Sequence, residues 1–117
     1  QWTVDRLLFF VGDAQQLPYA DGSVDAVFNF GIIHHLENWE LGIREICRVL
    51  KKGGGFYFEE IYPPLYANAI TRRLLDHPTE NRFYGPEYRA ALQQEGLRLL
   101  PGYKETRFAI LGVAVKE

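Results

Sequence analysis

The 117-residue sequence contains no methionine. An unprocessed reading frame opens on one, so these residues read as a fragment or a processed product. Cysteine is scarce as well, with Cys47 alone. A single thiol forms no intrachain disulfide and no cysteine-rich metal site, and a reducing, cytoplasmic setting follows. Cys47 falls on an apolar helical stripe and reads as a small buried hydrophobe rather than a nucleophile. An excess of basic charge is also missing, since 13 Lys and Arg face 15 Asp and Glu for a formal net charge of -2. A nucleic-acid-binding surface normally shows a basic excess, so no nucleic-acid partner is expected. No apolar run approaches the roughly 20 residues of a membrane span. The opening Gln1-Trp2-Thr3-Val4-Asp5-Arg6 is polar and mixed in charge, unlike a secretory signal. No membrane partner is expected either.

What is present is apolar and aromatic. Hydrophobic residues make up 47% and aromatics 15% of the chain, enough for one small core, so residues 1–117 are expected to form a single domain. Leu7–Val11 is a short apolar run that stops at Gly12-Asp13 and reads as a buried strand. Val24–Phe30 is apolar on both faces, as in a parallel sheet covered by helices. A helix is expected from about Trp39 to Lys51, capped by Asn38, with Trp39, Ile43, Ile46, Cys47 and Leu50 on one face and a Glu40–Arg44 pair on the other. Gly53-Gly54-Gly55 is expected to end that helix, and Phe56-Tyr57-Phe58 to open a third strand that closes at Glu59-Glu60. Pro63-Pro64 reads as a break, Leu65–Leu75 as a helix stopped by His77-Pro78, and Pro86–Glu95 as another helix stopped by Gly96. Leu97–Arg107 and Phe108–Lys116 look like an antiparallel pair. This order of elements predicts an α/β domain with a mainly parallel sheet.

Ligands of such sheets bind outside the carboxyl ends of the strands. Three stretches occupy those ends. In Gly12-Asp13-Ala14, Asp13 either accepts a hydrogen bond from an exocyclic amine or caps a turn, while Ala14 keeps the wall low and Leu17 offers a surface for a ring. In Asn29-Phe30-Gly31, the glycine either admits a ligand to the backbone or serves a plain turn. His34-His35 follows. Adjacent histidines do not chelate one metal from a helix face, so no metal site is expected. One of the pair faces a substrate pocket, or both simply open a helix. Glu59 and Glu60 are strand neighbours and point to opposite faces, so at most one faces a pocket. The three glycines at 53–55 are not a phosphate cradle, because they follow a helix and open a strand rather than the reverse.

Taken in order, these stretches resemble a known family. Gly12-Asp13-Ala14-x-x-Leu17-Pro18-Tyr19-x-Asp21-x-Ser23-Val24-Asp25-x-Val27 resembles the central signature of class I S-adenosylmethionine-dependent methyltransferases of the UbiE, small-molecule type. Ile33-His34-His35-Leu36 resembles the family's Leu-His-His segment. Arg44-Glu45-x-x-Arg48-Val49-Leu50-Lys51-x-Gly53-Gly54 resembles its Arg-Val-Leu-Lys-Pro-Gly-Gly stretch, with Lys52 where proline is usual. The resemblance implies a partial Rossmann-like methyltransferase fold with a C-terminal antiparallel strand pair, and S-adenosylmethionine as cofactor. By position it implies that Asp13 binds the adenine amine, the Ala14 backbone the ring edge, and Leu17 the ring face. Phe30 and Gly31 then lie beside the methionine moiety with Asn29 near, and His34, His35 or Glu60 faces a small-molecule acceptor.

The sequence departs from the family in one respect. The family's first strand, its Gly-x-Gly-x-Gly turn and the acidic residue ending its second strand have no counterpart here. Those parts hold the methionine carboxylate and the ribose hydroxyls, so weakened cofactor binding by the chain alone is expected. In the family, the first and second strands also separate the counterparts of Leu7–Val11 and Val24–Phe30. An unpaired buried edge templates association, which predicts a homodimer formed by strand exchange. A non-catalytic α/β interaction module is the alternative reading. The aromatics Tyr62, Tyr66, Phe83 and Tyr84 point to an apolar acceptor, or simply pack a helix.

Overall fold

A computed structural model of the chain describes residues 11–66, 68, 70 and 81–117. Strand β1 (Val24–Phe30) leads through a 3-10 turn at Ile33–His35 into helix α1 (Trp39–Val49). Strand β2 (Leu50–Ile61) follows directly and ends in a single helical turn, α2 (Pro63–Tyr66). Beyond the undescribed stretch come helix α3 (Gly85–Glu95) and strands β3 (Leu97–Leu99), β4 (Lys104–Glu105) and β5 (Ala109–Lys116).

The sheet runs β1-β2-β5-β3, with β4 also paired to β5. β1 and β2 are parallel, and β5 is antiparallel to β2, β3 and β4. The α/β layering and the closing antiparallel strands match the sequence expectation. The described part of the sheet is mixed, with its parallel portion confined to β1–β2. The reason is that β5 returns along β2 instead of crossing over. Leu7–Val11, the further strand expected to run parallel, lies outside the described residues apart from Val11, and so does its pairing with β1. The closing pair is interrupted at Pro101-Gly102, where Gly102 has φ +94. The long strand expected there therefore splits into β3 and β4.

Alternation along the strands creates two unlike faces. In register, Val27 stands beside Phe56 and Asn29 beside Phe58, and Glu60 faces Ile110. This face packs on α1 and α3, and the core joins Trp39, Ile43, Ile46 and Cys47 to Phe56, Phe58, Tyr88, Leu92 and Ile110. Ile43, Leu50, Phe56, Phe83, Tyr88 and Leu92 are completely buried, and each such side chain contributes roughly 1.5–3 kcal/mol of apolar transfer. The opposite face carries Phe28, Phe30, Tyr57 and Leu111, all exposed.

Helix α1 starts where expected, with the Asn38 Oδ1 accepting from the Leu41 amide at 3.3 Å. It stops two residues earlier than expected, because Leu50 is already extended at ψ 139 and pairs with Val24. The triple glycine therefore belongs to β2. The ladder jumps from Val24↔Leu50 to Ala26↔Gly55, so the intervening residues bulge out. A Cβ on Gly54 would lie 2.8 Å from the Lys51 carbonyl oxygen and 3.0 Å from that of Asp25, both backbone atoms, so this position requires glycine. The expected Glu40–Arg44 pair does not form. Longer-range partners win: Glu40 accepts from Asn81 at 3.0 Å, and Arg44 donates to Glu95 at 3.3 Å. Pro63-Pro64 opens α2 rather than breaking the chain, since proline suits a first helical turn. Of the expected helix from Leu65 to Leu75, Leu65 and Tyr66 are helical within α2, whereas Asn68 is a bend and Ile70 a turn; the other positions, like His77-Pro78, lie outside the described residues. Helix α3 has Pro86 in its first turn and a left-handed Gly96 cap, as anticipated. Cys47 is buried and its thiol donates to the Glu95 carbonyl at 3.0 Å. Burial pushes that thiol above its usual range. No helix among the described residues is long and apolar enough to cross a membrane.

Candidate functional site

The carboxyl ends of β1 and β2 lie side by side, and the loops leaving them are joined by one buried carboxylate. Glu60 is completely buried. Its Oε1 accepts from the Asn29 amide at 2.8 Å and the Ile33 backbone N–H at 2.7 Å. Its Oε2 lies 2.9 Å from His34 Nδ1 and accepts from the His34 backbone N–H at 3.3 Å. A carboxylate only accepts, so Nδ1 carries the proton in that contact. Buried charge is costly unless surrounded by donors, and here the 3-10 turn supplies them. Gly31, at φ +69, starts the turn, and its amide donates to the Glu59 carbonyl at 2.8 Å. A Cβ there would meet only His34 Cε1, at 3.7 Å. Arg82 donates to the carbonyl oxygens of His34 and Leu36. His34 is buried, His35 is exposed, and their rings are 4.2 Å apart.

The loop before β1 is held from a different direction. Asp13 is exposed, and its Oδ1 accepts from the Gln15 backbone N–H at 2.8 Å, which makes a local turn closed by Gln16 N–H on the Asp13 carbonyl at 2.9 Å. The turn-capping role of Asp13 is therefore realised, and it employs one of the two carboxylate oxygens. Ala14 and Leu17 are half-buried, and Leu17 leans on the core. Arg48 holds the rest of the loop. It donates to the Tyr19 carbonyl at 2.8 Å, the Leu17 carbonyl at 3.0 Å and Asp21 at 2.7 Å, and it forms a two-point pair with Glu45 at 2.7 and 2.9 Å.

Comparison with known proteins gives this arrangement a family. A family model for a methyltransferase domain matches residues 2–58. A demethylmenaquinone methyltransferase from Porphyromonas gingivalis is 30% identical over 128 residues, covering 95% of this chain and 52% of the relative. A chain from the complex of the Haloferax volcanii Trm112 methyltransferase activator superposes with a TM-score of 0.78 at 23% identity, over 97% of this chain and 63% of its own. These likenesses support a class I S-adenosylmethionine-dependent methyltransferase family for the chain. A fatty-acid O-methyltransferase from Mycolicibacterium smegmatis is 35% identical over 74 residues, 63% of this chain and 27% of the relative. The chain thus spans about half, or less, of the length of these curated relatives.

The family implies S-adenosylmethionine as its cofactor. Asp13 presents a carboxylate oxygen to solvent, and Gly31 leaves bare backbone at the tip of β1. The residues singled out in the sequence divide into groups. Asn29, His34 and Glu60 come together in one buried network. Asp13, Ala14 and Leu17 share the preceding loop. Phe30 emerges on the opposite face of the sheet from Asn29 and is exposed, because strand neighbours alternate. Of the cover aromatics, Tyr62, Tyr66 and Phe83 are buried, with the Phe83 ring 4.5 Å from Trp39 and 5.1 Å from Tyr88, whereas Tyr84 is exposed. Packing is therefore the role the fold gives the first three. Sequence reading missed Glu45 and Arg48 as more than polar helix residues. The signal was present in their spacing of three on α1, which places both on the side facing the loop.

Proposed function

We propose that this chain is part of a larger enzyme that moves a methyl group from S-adenosylmethionine to a small, apolar acceptor. The observation that carries the reading is the grip of Glu60 on the turn leaving β1, which fixes the loop where cofactor and acceptor would meet. The cofactor supplies an electrophilic methyl group on a sulfonium, and displacement then depends on how well the nucleophile is positioned. In this reading Asp13 accepts from the adenine amine, the Ala14 backbone meets the ring edge, and Leu17 covers the ring face. Phe30 and Gly31 flank the methionine part, with Asn29 holding the strand tip through Glu60. His34 or His35 faces the acceptor, and Glu60 orients His34. No residue is assigned as catalytic base. The named activities of the two curated relatives, on a fatty acid and on a demethylmenaquinone, support an apolar acceptor. The surroundings proposed are cytoplasmic, without nucleic-acid or membrane partners.

The chain alone is proposed to bind cofactor weakly, since it has no counterpart of the glycine-rich turn. Calorimetric titration with S-adenosylhomocysteine tests this, and micromolar affinity would overturn it. Methyl transfer from labelled cofactor to a fatty acid or a quinol, by the gene product that contains this chain, tests the activity. Absence of transfer together with absence of S-adenosylhomocysteine binding would refute it.

A second reading is favoured by one observation. Phe28 and Phe30 are 65% and 60% exposed, and Phe28 stacks on Tyr57 with centroids 4.7 Å apart. With Leu111, they form an apolar stripe of the kind that marks an interaction surface. In this reading the chain is an interaction module whose partner is a second copy of itself, with strand exchange as the route to the dimer. Light scattering at high concentration decides it, because a monomeric mass rules out the dimer.

A further inference from the structure

The loop from Asp13 to Asp21 has little to hold itself in place. Its local bonds include the Asp13 turn, and just beyond it the Ser23 hydroxyl donates to the Ala20 carbonyl at 2.7 Å. The backbone of Leu17 is instead gripped at both ends by α1. Its N–H donates to Glu45 Oε2 at 2.8 Å, and its carbonyl accepts from Arg48 Nη2 at 3.0 Å. Because Glu45 and Arg48 also bond each other at two points, the Leu17 peptide, the carboxylate and the guanidinium close a ring of charge-assisted hydrogen bonds. Arg48 extends this grip to the Tyr19 carbonyl and to Asp21. Only a planar guanidinium fork reaches all these acceptors at once; a lysine ammonium does not. The pair is half-sheltered, with side-chain exposures of 13% for Glu45 and 30% for Arg48, so solvent competes only partly.

We infer that Glu45 and Arg48 are positioning residues for the adenosyl group: they set where the Leu17 backbone and side chain stand, and hence where the wall for the ring lies. The inference rests on the cofactor reading above and deepens it. It also links two stretches that are separate in sequence. Glu45-x-x-Arg48 is the physical complement of Leu17-x-Tyr19-x-Asp21, so neither builds the wall alone. The nearby Arg44 takes no part, since its guanidinium turns to Glu95.

The test uses the full chain, with adenosine and S-adenosylhomocysteine titrated to millimolar concentration and followed by amide chemical shifts, which report weak binding. Arg48→Lys and Glu45→Gln are expected to weaken both ligands about tenfold or more and to speed amide exchange at Leu17 by a similar factor. Arg44→Ala is the control and leaves both unchanged. Arg48→Ala is expected to regain ligand shifts at Ala14 and Leu17 when millimolar ethylguanidinium is added, a recovery that a general loss of stability would not show. Faster exchange at Leu17 with unchanged ligand affinity overturns the inference while the cofactor reading stands. A wild-type chain whose Asp13–Leu17 amides respond to neither ligand overturns the cofactor reading for this chain, and the inference with it.

Discussion

Replacing Glu60 by alanine removes the acceptor for four donors at once. Three of them, the Asn29 amide, the Ile33 N–H and His34 Nδ1, lie within 2.9 Å of the carboxylate. All belong to buried residues, and solvent does not replace the lost acceptor. An orphaned buried donor costs about 1–3 kcal/mol, so three of them at the low end give about 3 kcal/mol. Relief of the carboxylate's own desolvation offsets part of the total, and the weaker His34 N–H contact adds to it. A loss of about 3 kcal/mol is a large fraction of the roughly 5–15 kcal/mol that holds a domain together. Glu60→Gln keeps the shape but turns an NH2 group toward donors, and about 2 kcal/mol is expected. The control is Glu59→Ala, one residue away on the exposed face, which is expected to stay within about 0.5 kcal/mol of wild type. Urea unfolding followed by circular dichroism measures all three. A loss below about 1 kcal/mol for Glu60→Ala, or one indistinguishable from Glu59→Ala, would refute the idea that this carboxylate holds the strand tips.

Other expectations concern the core, the bulge and acid stability. Tyr88 is completely buried, and its hydroxyl has no hydrogen-bond partner among the described residues; Tyr88→Phe should therefore raise stability by about 1 kcal/mol, seen as a higher urea midpoint. Gly54→Ala forces a methyl group against two backbone carbonyls and is expected to cost about 1–3 kcal/mol, whereas an unchanged midpoint would show that the bulge gives way. The hydrogen bond from Arg48 holds the Glu45 carboxyl below its usual range, against the opposing effect of burial and with help from the Leu17 N–H. A depressed folded pKa means that the clamp's contribution is fully present above about pH 4.3 and fades as pH falls through the lower folded value. Stability–pH curves of wild type and Glu45→Gln should accordingly converge on acidification, and parallel curves would contradict the assignment.

Local rules placed much of this fold before any coordinates. Asn38 as cap, the buried stripe of α1, Pro86 and Gly96 bounding α3, and the opposite facing of Glu59 and Glu60 all follow from backbone chemistry and periodicity, which need only near neighbours in the chain. The family resemblance was also legible, because its signatures are contiguous. What tertiary structure decided was partnership across long separations. The carboxylate of Glu60 meets Asn29 and His34 only because β2 lies beside β1. Arg44 prefers Glu95 to the nearby Glu40, and Glu45 with Arg48 grips a loop some 28 residues earlier in the chain. Gly53 and Gly54 lie in a bulge and Gly55 in the ladder, rather than capping a helix, because Leu50 is already extended and paired with Val24. Sequence period fixes which face a residue shares. Only packing fixes what stands opposite that face, because the energy of a buried charge or hydrogen bond depends on atoms brought together by the whole fold.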